Sequence, residues 1–342
     1  MGEICTIGLD IAKHVFQVHG VDVEGEVVVR RRLRRTEVLR FFERLPPCMV
    51  GIEACATGHY WARQLQALGH DARLMPAGYV KPYARRQKND AADAEAICEA
   101  VRRPTMRFVP IKTVDDQGVL MLHRARELLI RQRTMTINAL RAHLAEIGIV
   151  ARQGAAGAKF LVGLLKVGNE ETLPEMVRTA LLPLAHQIED LNAKVAELDI
   201  ELARWHGESE VSRRLATIPG VGPITASAIA ATVTNASVFG SGRELAAWLG
   251  LVPRQNSSGG RERLGRITKK GDPYIRRLLV VGALAAIRVH RRDPQARPWL
   301  TRLCERKPQK LAAVALANKM ARIVWALMTS GERYSAQGPA AA

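Results

Sequence analysis

The chain has 342 residues, of which 47% are apolar and 25% are charged, a composition typical of a folded protein of two or three domains. Its 51 Lys and Arg exceed its 33 Asp and Glu to give a net charge of +18, which predicts a polyanionic partner, either nucleic acid or an acidic membrane. Because no run of 18 apolar residues and no basic N-terminal region occurs, we expect neither a transmembrane helix nor a signal peptide. The five cysteines form no CxxC pair, so we expect a reduced, cytoplasmic protein without a disulfide framework or structural zinc.

Most of the excess positive charge lies in the last third of the chain. Residues 211–342 contain 22 Lys and Arg but only 6 Asp and Glu, a net charge of +16, whereas residues 1–100 and 101–210 each carry only +1. The last third is therefore the predicted polyanion-binding module, whose affinity would depend on salt. The alternative is a generic basic surface.

The first hundred residues predict an α/β domain, because apolar, β-branched runs alternate with segments of helical periodicity. The predicted order is three strands, helix, strand, helix, strand and helix, over residues 5–10, 15–21, 26–33, 36–44, 49–53, 60–68, 72–75 and 90–101. This is the order of a ribonuclease-H-like domain. The arginine-rich run at 30–35 is predicted to be an edge strand leading into the first helix, with a nucleic-acid contact as the alternative.

Two long helices are predicted next, over residues 115–148 and 181–205. Apolar side chains in the second helix step alternately by four and three residues at Leu184, Ile188, Leu191, Val195, Leu198 and Leu202. This seam is typical of a coiled coil that dimerises the protein or spaces two domains. An intramolecular hairpin with the first long helix explains the seam equally well. Between the two helices, the glycines of residues 152–180 predict a looser connection.

The last third is predicted to be mostly helical, with glycine-rich breaks. Asp272 followed by Pro273 is typical of an N-cap and first helical position, so we expect a helix from there through Val289. Ser241 and Glu244 have the spacing of a capping box. The tail over residues 335–342 is predicted to be disordered.

Four carboxylates predict a site for one or two Mg²⁺ ions. Asp10 and Glu53 each end a predicted strand, and Asp90 and Asp93 are three residues apart, on one face of a helix. Carboxylate oxygens are the ligands that Mg²⁺ prefers, and two such ions can clamp the attacking and leaving oxygens of phosphoryl transfer. Taken singly, each acid also fits a turn or a helix cap; the set in this order favours the metal site.

The segment 215–230 predicts a helix-hairpin-helix. Gly220 and Gly222 would form its tight turn, and the free amides of the following helix could face a phosphate without reading base sequence. An ordinary corner between two helices is the alternative.

Residues 250–271 form the segment richest in candidate functional residues. Two adjacent hydroxyls, Ser257 and Ser258, lie among cations, and no histidine is close in sequence to act as a general base. This pattern fits either phosphate binding or a serine nucleophile assisted by positive charge. The expected nucleic-acid contacts here and just beyond are Arg254, Ser257, Arg261, Arg263, Arg266, Lys269, Lys270 and Arg276.

These motifs together resemble one family. The segments G-L-D-I-A-K, I-E-A, K-N-D-A-A-D-A, I-P-G-V-G-P-I-T-A, G-L-V-P-R-Q-N-S-S-G-G and I-T-K-K-G-D-P-Y-I-R, in this order, are similar to those of the insertion-sequence one-ten family. These are DEDD transposases related to pilin-gene invertases and described as bridge-RNA-guided recombinases. The resemblance covers about residues 4–330.

The resemblance implies a RuvC-like N-terminal domain, a central coiled coil and a C-terminal transposase domain. It implies that Asp10, Glu53, Asp90 and Asp93 are the catalytic tetrad and that Ser258 is the nucleophile, with the adjacent Ser257 as the alternative. It further implies a tetramer on two DNA duplexes, an RNA that pairs to both, and a site built from the tetrad of one subunit and the serine of another.

The sequence therefore predicts four regions: a RuvC-like domain over residues 1–110, a helical coiled-coil region over 111–210, a transposase domain over 211–334 and a tail over 335–342. With what the resemblance implies, the expected function is RNA-guided DNA recombination in the bacterial cytoplasm, at the nucleoid, by a dimer or tetramer. The main alternative is a structure-selective, RuvC-like endonuclease in which water is the nucleophile. A third hypothesis is a DNA-binding protein with an inactive N-terminal domain.

Overall fold

The computed structural model describes residues 3–83, 89–167, 173–257, 260–261 and 263–335. Two compact units divide the chain, residues 1–113 and 114–342. Ser258 lies outside the described residues, as do Gly259 and positions 336–342 of the predicted tail. The further division of the second unit at residue 210 stays a prediction.

The first unit is built on a five-stranded mixed sheet. Its strands are β1 (Thr6–Ile11), β2 (Val15–Val21), β3 (Val27–Arg34), β4 (Met49–Glu53) and β5 (Asp71–Met75). They lie in the order β3-β2-β1-β4-β5, in which β1 is antiparallel to β2 and parallel to β4. The arginine-rich strand β3 is therefore an edge strand, as predicted, where unpaired charged side chains can reach solvent.

Four helices accompany the sheet: α1 (Val38–Phe42), α2 (Gly58–Ala67), α3 (Ala77–Val80) and α4 (Asp90–Val101). The first is shorter than predicted, because its entry is a 3₁₀ turn over Arg35–Glu37. Buried apolar side chains of β1, β2 and β4 pack with α2 around Phe16 and Trp61, whose rings meet edge to face at 5.0 Å. The sheet thus supplies a rigid platform for the ends of its parallel strands.

The second unit begins with three helices, α5 (Val114–Ala145), α6 (Ala155–Val167) and α7 (Glu175–Glu208). The heptad seam of α7 packs against α5 within the chain, so the hairpin alternative describes this structure. The prediction of a loose connection over 152–180 was wrong for α6. Leu161, Val162 and Leu165 of that helix are buried against α5 and α7, so packing outweighs the low helix propensity of its glycines.

The rest of the second unit is mostly helical. It contains α8 (Glu210–Leu215), α9 (Pro223–Thr232), α10 (Gly242–Trp248), β6 (Pro253–Gln255), β7 (Leu264–Ile267), α11 (Pro273–His290), α12 (Pro298–Arg306) and α13 (Gln309–Ser330). Short 3₁₀ turns cover Ala236–Val238 and Pro294–Ala296. The predicted N-cap at Asp272 is confirmed, because its carboxylate accepts from the amides of Tyr274 and Ile275. Of the capping box predicted at Ser241, the N-cap half is confirmed: Ser241 Oγ accepts from the Glu244 amide, and the Glu244 carboxylate accepts from the Gly240 amide at 2.8 Å.

Helix α13 is long and apolar enough to pass a length-and-hydropathy test for a membrane span. Nearly half of its apolar window is buried in this unit, where Leu316, Met320 and Val324 pack into the core formed with α10 and α11. It also carries Lys319 and Arg322 within its length. These features are those of a core helix.

Candidate active site and nucleic-acid surface

The carboxylates Asp10 and Glu53 lie side by side at the ends of two parallel strands. Strands β1 and β4 pair in register through Leu9 and Ile52, so the next residue on each strand is an acid. Because both strands run in the same direction, both acids lie at the same edge of the sheet. This is the edge at which ligands bind in open α/β sheets.

A pair of glycines brings helix α4 down onto this sheet. Gly8 and Gly51 are register partners in β1 and β4. A Cβ at Gly8 would fall within 2.5 Å of the Ala94 carbonyl oxygen and the Cys98 amide, and one at Gly51 would fall 2.7 Å from the Val101 side chain. The two strands therefore form a groove that only glycine leaves open, and α4 occupies it.

The first turn of α4 carries the other two acids, Asp90 and Asp93. Asn89 caps this helix, its side-chain oxygen accepting from the Ala91 amide at 3.1 Å. Since Asp93 is adjacent to the residue that contacts Gly8, the packing of α4 brings this turn toward the strand ends. The structure thus brings the four predicted acids into one neighbourhood.

The electrostatics of the four acids reflect this proximity. The pKa of Asp10 is raised to about 6, first by burial and then by the negative charges of Asp93, Asp90 and Glu53. The pKa of Glu53 is raised by burial and by Asp93. The neighbouring acids therefore make ionisation of Asp10 harder, and Asp93 does the same for Glu53, which is the condition that a bound cation relieves.

The donor chemistry of this cluster fits a hard divalent cation, since it offers only carboxylate oxygens whose charges repel one another. Within the part of the chain that the structure describes, no three His, Cys, Asp or Glu side chains are arranged closely enough to hold a metal ion by themselves. The cluster is therefore an electrostatic grouping rather than a closed coordination shell.

The segment that contains the candidate serines, residues 250–271, is a two-stranded ribbon whose two ends lie close together. Strands β6 and β7 are antiparallel, and both are largely exposed. At these two ends, Gly250 and Gly271 have φ values of +72° and +76°, which favour glycine. A Cβ on either glycine would clash with the backbone at the opposite end of the ribbon. Ser257 Oγ accepts from the Arg263 amide at 3.2 Å, so this hydroxyl takes part in the ribbon's own hydrogen bonding.

Comparison with known proteins identifies the chain. Residues 7–149 match a family model of DEDD transposases of the IS110 type, described as a transposase, and residues 212–298 match the model described as transposase IS116/IS110/IS902 family. A "Probable family 20 transposase" of Pseudomonas aeruginosa is 48% identical over 331 residues, covering 96% of this chain and 97% of that relative.

The chain belongs to the IS110/IS116/IS902 family of transposases. The transposase for insertion sequence element IS1328 of Yersinia enterocolitica is 38% identical, with 98% of this chain and 100% of that relative covered. The transposase for insertion sequence element IS1111A of Coxiella burnetii is 37% identical, with 98% and 92% covered. Membership makes this protein an enzyme that cleaves and rejoins DNA, and the DEDD class suggests dependence on a divalent metal.

The structure places the basic residues of the transposase ribbon at its surface. Those exposed are Arg254, Arg261, Arg263, Arg266, Lys269 and Lys270. None of them takes part in an ion pair within the described residues. Exposed cations that have no ion pair among the described residues are available to phosphates.

Arg276 differs from these residues because its guanidinium is engaged inside the protein. Its Nη1 donates to the carbonyl oxygens of Leu249 and Lys270, each at 2.9 Å. Leu249 and Lys270 lie at the two ends of the ribbon, so the Arg276 side chain joins these ends by hydrogen bonds. The sequence predicts a nucleic-acid contact at Arg276. The structure shows that its guanidinium also joins the two ends of the ribbon.

The two hairpin glycines also differ from each other. Gly220 has a φ of +93° and packs against the backbone of α11, where a Cβ would fall within 3 Å of the Gly282 carbonyl oxygen. This contact explains the residue by packing. Gly222 is exposed and precedes α9 as its N-cap, with Pro223 as the first helical residue.

Sequence reasoning missed a buried polar junction in the second unit. His123 Nδ1 lies 3.0 Å from Tyr274 Oη and its Nε2 lies 3.1 Å from Ser227 Oγ. Because Ser227 donates its hydroxyl proton to the Pro223 carbonyl oxygen at 2.7 Å, the neutral His123 ring donates from Nε2 and accepts from Tyr274. Burial lowers the pKa of His123 to about 4, which keeps it neutral. The junction ties α5, α9 and α11 together, and its Tyr274 follows the last residue of the ribbon segment, Gly271, by three positions.

Proposed function

We propose that this transposase mobilises an insertion sequence through a Mg²⁺ site at Asp10, Glu53, Asp90 and Asp93 and a serine nucleophile at Ser258. The observation that supports it most directly is the grouping of four carboxylates, in which burial first and then the charges of Asp93, Asp90 and Glu53 raise the pKa of Asp10 to about 6. A structural role gives no reason to gather four like charges at the end of a sheet. Mg²⁺ held there would supply Lewis-acid stabilisation of the charge that develops on the phosphate oxygens.

The residues of the chain would then act in two transfers. Ser258 Oγ attacks phosphorus, the bond to the leaving deoxyribose oxygen breaks, and the chain is joined to DNA as a phosphoserine diester. A hydroxyl of the partner strand next attacks the same phosphorus and releases the serine. Each step exchanges one phosphoester bond for another, so strands rejoin without a further energy source.

Ser258 is preferred over Ser257 for two reasons. The resemblance puts the nucleophile directly before a glycine, and Ser258 precedes Gly259. Ser257 already accepts a hydrogen bond from the Arg263 amide, which gives it a role in the ribbon's turn. The exposed cations of the ribbon would bind the scissile strand and stabilise the charge on phosphorus.

The resemblance also underlies our proposals of a guide RNA, of DNA donor and target duplexes, and of a dimer or tetramer acting at the bacterial nucleoid. An exposed stripe on α5 supports the oligomer. Val114, Met121, Leu128 and Met135 recur every seven residues and are each at least half exposed. Four exposed apolar side chains spaced by seven residues lie on one face of the helix, which would become buried if the α5 helix of another subunit packed there.

The alternative is a structure-selective endonuclease in which water attacks and the serines only bind phosphate. A plasmid recombination assay with the whole element separates the two. We expect wild type to give rejoined product and both Asp10→Asn and Ser258→Ala to give neither cut nor rejoined DNA, with Ser257→Ala retaining product. If Ser258→Ala still cuts while only Asp10→Asn is inactive, the endonuclease is correct.

A further inference from the structure

A second basic surface lies at the far end of α11 from the ribbon. Residues 288–310 contain eight Lys and Arg but only two acids, Asp293 and Glu305. The cations are Arg288, Arg291, Arg292, Arg297, Arg302, Arg306, Lys307 and Lys310. We call residues 288–310 the α12 surface. Helix α11 has 18 residues, about 27 Å at 1.5 Å per residue, so this surface is separate from the ribbon at the start of that helix.

The charge of the α12 surface is not balanced locally. All of its cations except Arg297 belong to exposed residues, and none forms an ion pair with any acid that the structure describes. By contrast, exposed cations of α7 such as Lys194 and Arg204 each pair with an acid of the same helix. Leaving seven exposed cations unpaired is a cost that a polyanion removes.

An exposed tryptophan lies within this charge. Trp299 is 40% exposed and shares the outer face of α12 with Arg302 and Arg306, at spacings of three and four residues. Leu300, on the other face, is buried in the core. Lys319 Nζ lies 4.4 Å from the Trp299 ring centroid, so the aromatic ring is held by a cation on one side.

A hydrogen-bonded corner fixes the two parts of the α12 surface together. His290, at the end of α11, lies with Nε2 2.9 Å from Thr301 Oγ1, and that hydroxyl donates to the Pro294 carbonyl oxygen at 2.7 Å. His290 is buried. Because Arg291 directly follows His290 and Arg302 directly follows Thr301, the corner holds the backbone of these two cationic residues close together.

We propose that the α12 surface binds a single-stranded nucleic acid, with the cations on its phosphates and Trp299 stacked on a base. Duplex DNA presents its phosphates to a basic surface but keeps its bases stacked inside, so it gives an exposed tryptophan nothing to stack on. Unpaired strands offer both groups, and aromatic rings among arginines are the usual way of binding them. This surface goes beyond the proposed function, since it lies away from every residue assigned to the chemistry.

The test measures binding by the full chain to labelled 20-nucleotide DNA and RNA single strands and to the matching duplex, over a range of salt concentrations. The variants are Trp299→Ala, Trp299→Phe and the double variant Arg302→Gln/Arg306→Gln. The matched control is Lys194→Gln/Arg204→Gln, which removes the same charge from exposed cations already paired with acids.

We expect Trp299→Ala to weaken single-strand binding about tenfold and Trp299→Phe to retain most of it, because the loss of one stacked base is worth about 1–3 kcal/mol. The double arginine variant should lower the slope of log affinity against log salt by about 1.4, at about 0.7 per lost contact. The control should change neither quantity. The strand, DNA or RNA, whose affinity falls more is the natural ligand.

Two results would overturn the proposal. One is unchanged single-strand binding in Trp299→Ala and in the arginine variant. The other is an equal loss of duplex and single-strand binding with no difference between Trp299→Ala and Trp299→Phe. Circular dichroism of each variant confirms folding. Because binding needs no strand transfer, an inactive Ser258→Ala protein gives the same answer, and the result does not depend on the identity of the nucleophile.

Discussion

Asp10 sets the pH dependence expected of the carboxylate cluster. Its pKa rises from 3.8 to about 6 on folding, so the folded state binds this proton more tightly than the unfolded state. The free energy of unfolding therefore falls as pH rises between about 4 and 6, and stays lower above that window. The raised pKa of Glu53 acts in the same direction.

Without divalent metal, we expect Asp10→Asn to unfold at a higher temperature than wild type at pH 7, and at a similar temperature at pH 4. The reason is that the amide removes one of four mutually repelling charges. Adding Mg²⁺ should raise the unfolding temperature of wild type at pH 7 and change that of Asp10→Asn much less. Thermal scans at both pH values check this, with Asp71→Asn, an exposed acid paired with Arg73, as the control. Lower stability of Asp10→Asn at pH 7 would contradict the account.

Arg276 is expected to act on the ribbon rather than on DNA affinity. Replacing Arg276 with alanine removes both hydrogen bonds that join the two ends of the ribbon. Recombination should therefore fall at least tenfold, while the salt dependence of DNA binding stays unchanged. Arg276→Lys should restore much of the activity, since one ammonium can donate to two carbonyls. Arg277→Ala, the next residue along α11, is the control. A lower salt slope in Arg276→Ala would instead indicate a phosphate contact.

At the scale of elements, the paired glycines of β1 and β4 decide where the acids of α4 lie. Any side chain at Gly8 would collide with the backbone of α4 at Ala94 and Cys98. Since that backbone cannot yield as a flexible side chain can, the helix would have to move away from the sheet. The carboxylate cluster therefore depends on a residue that has no charge.

We expect Gly8→Ala to lower the free energy of unfolding by at least about 2 kcal/mol, because α4 is displaced. The pKa of Asp10 should also fall back toward its ordinary value, because Asp90 and Asp93 move away with the helix. Gly118→Ala provides the contrast. Nothing lies within 4 Å of a Cβ at that position of α5, so the substitution should raise stability by about 0.5–1 kcal/mol through helix propensity. Urea titrations of both variants decide the matter. Equal effects would show that the groove at Gly8 is not tightly packed.

Local patterns explain why the strands and the caps were predictable. Strands β1 and β4 have short apolar runs that end in an acid, and Asp272 precedes a proline, so neighbours along the chain specify each feature. Helix α6 was missed because its glycines lower helix propensity while its buried leucines, which pack against distant helices, supply the stability. Partners far apart in sequence left no local signal. The His123 junction joins residues 104 and 151 positions apart, and the hydrogen bonds of Arg276 depend on a turn that only the fold creates.

The heptad seam of α7 shows a limit of periodicity. A stripe of apolar residues at steps of three and four reports that a helix is buried along one face, whichever chain supplies the partner. Here α5 of the same chain covers it. A second row of apolar side chains, at Val114, Met121, Leu128 and Met135 of α5, is exposed in the structure, and the α7 seam gives no indication of it.

At the scale of the whole molecule, the residues of the proposed chemistry are divided between two compact units. The carboxylates lie in residues 1–113, and the ribbon with its cations lies in residues 114–342. Residues 211–342 also contain most of the net positive charge. Under the proposed function the two units must meet at one phosphate, and the proposed oligomer allows them to come from different subunits.

The α5 stripe gives a direct test of that oligomer. Leu128→Glu places a charge in the middle of the stripe, so the solution mass should fall toward that of a monomer of 37.7 kDa while the helical content is kept. Val23→Glu, at an apolar residue of the first unit that is more exposed than Leu128, should leave the mass unchanged. Light scattering coupled to size exclusion measures both. An unchanged oligomer in Leu128→Glu would exclude this stripe as the interface.

The most direct test of the central claim is to trap and map the bond between protein and DNA. Wild-type protein is incubated with element-end DNA and Mg²⁺, denatured and digested, and the peptide attached to the nucleotide is sequenced by mass spectrometry. The account predicts a phosphodiester on Ser258 that needs the metal and is absent in Asp10→Asn. Cleaved DNA without any adduct, an adduct on another residue, or an adduct that forms equally in Asp10→Asn would contradict it.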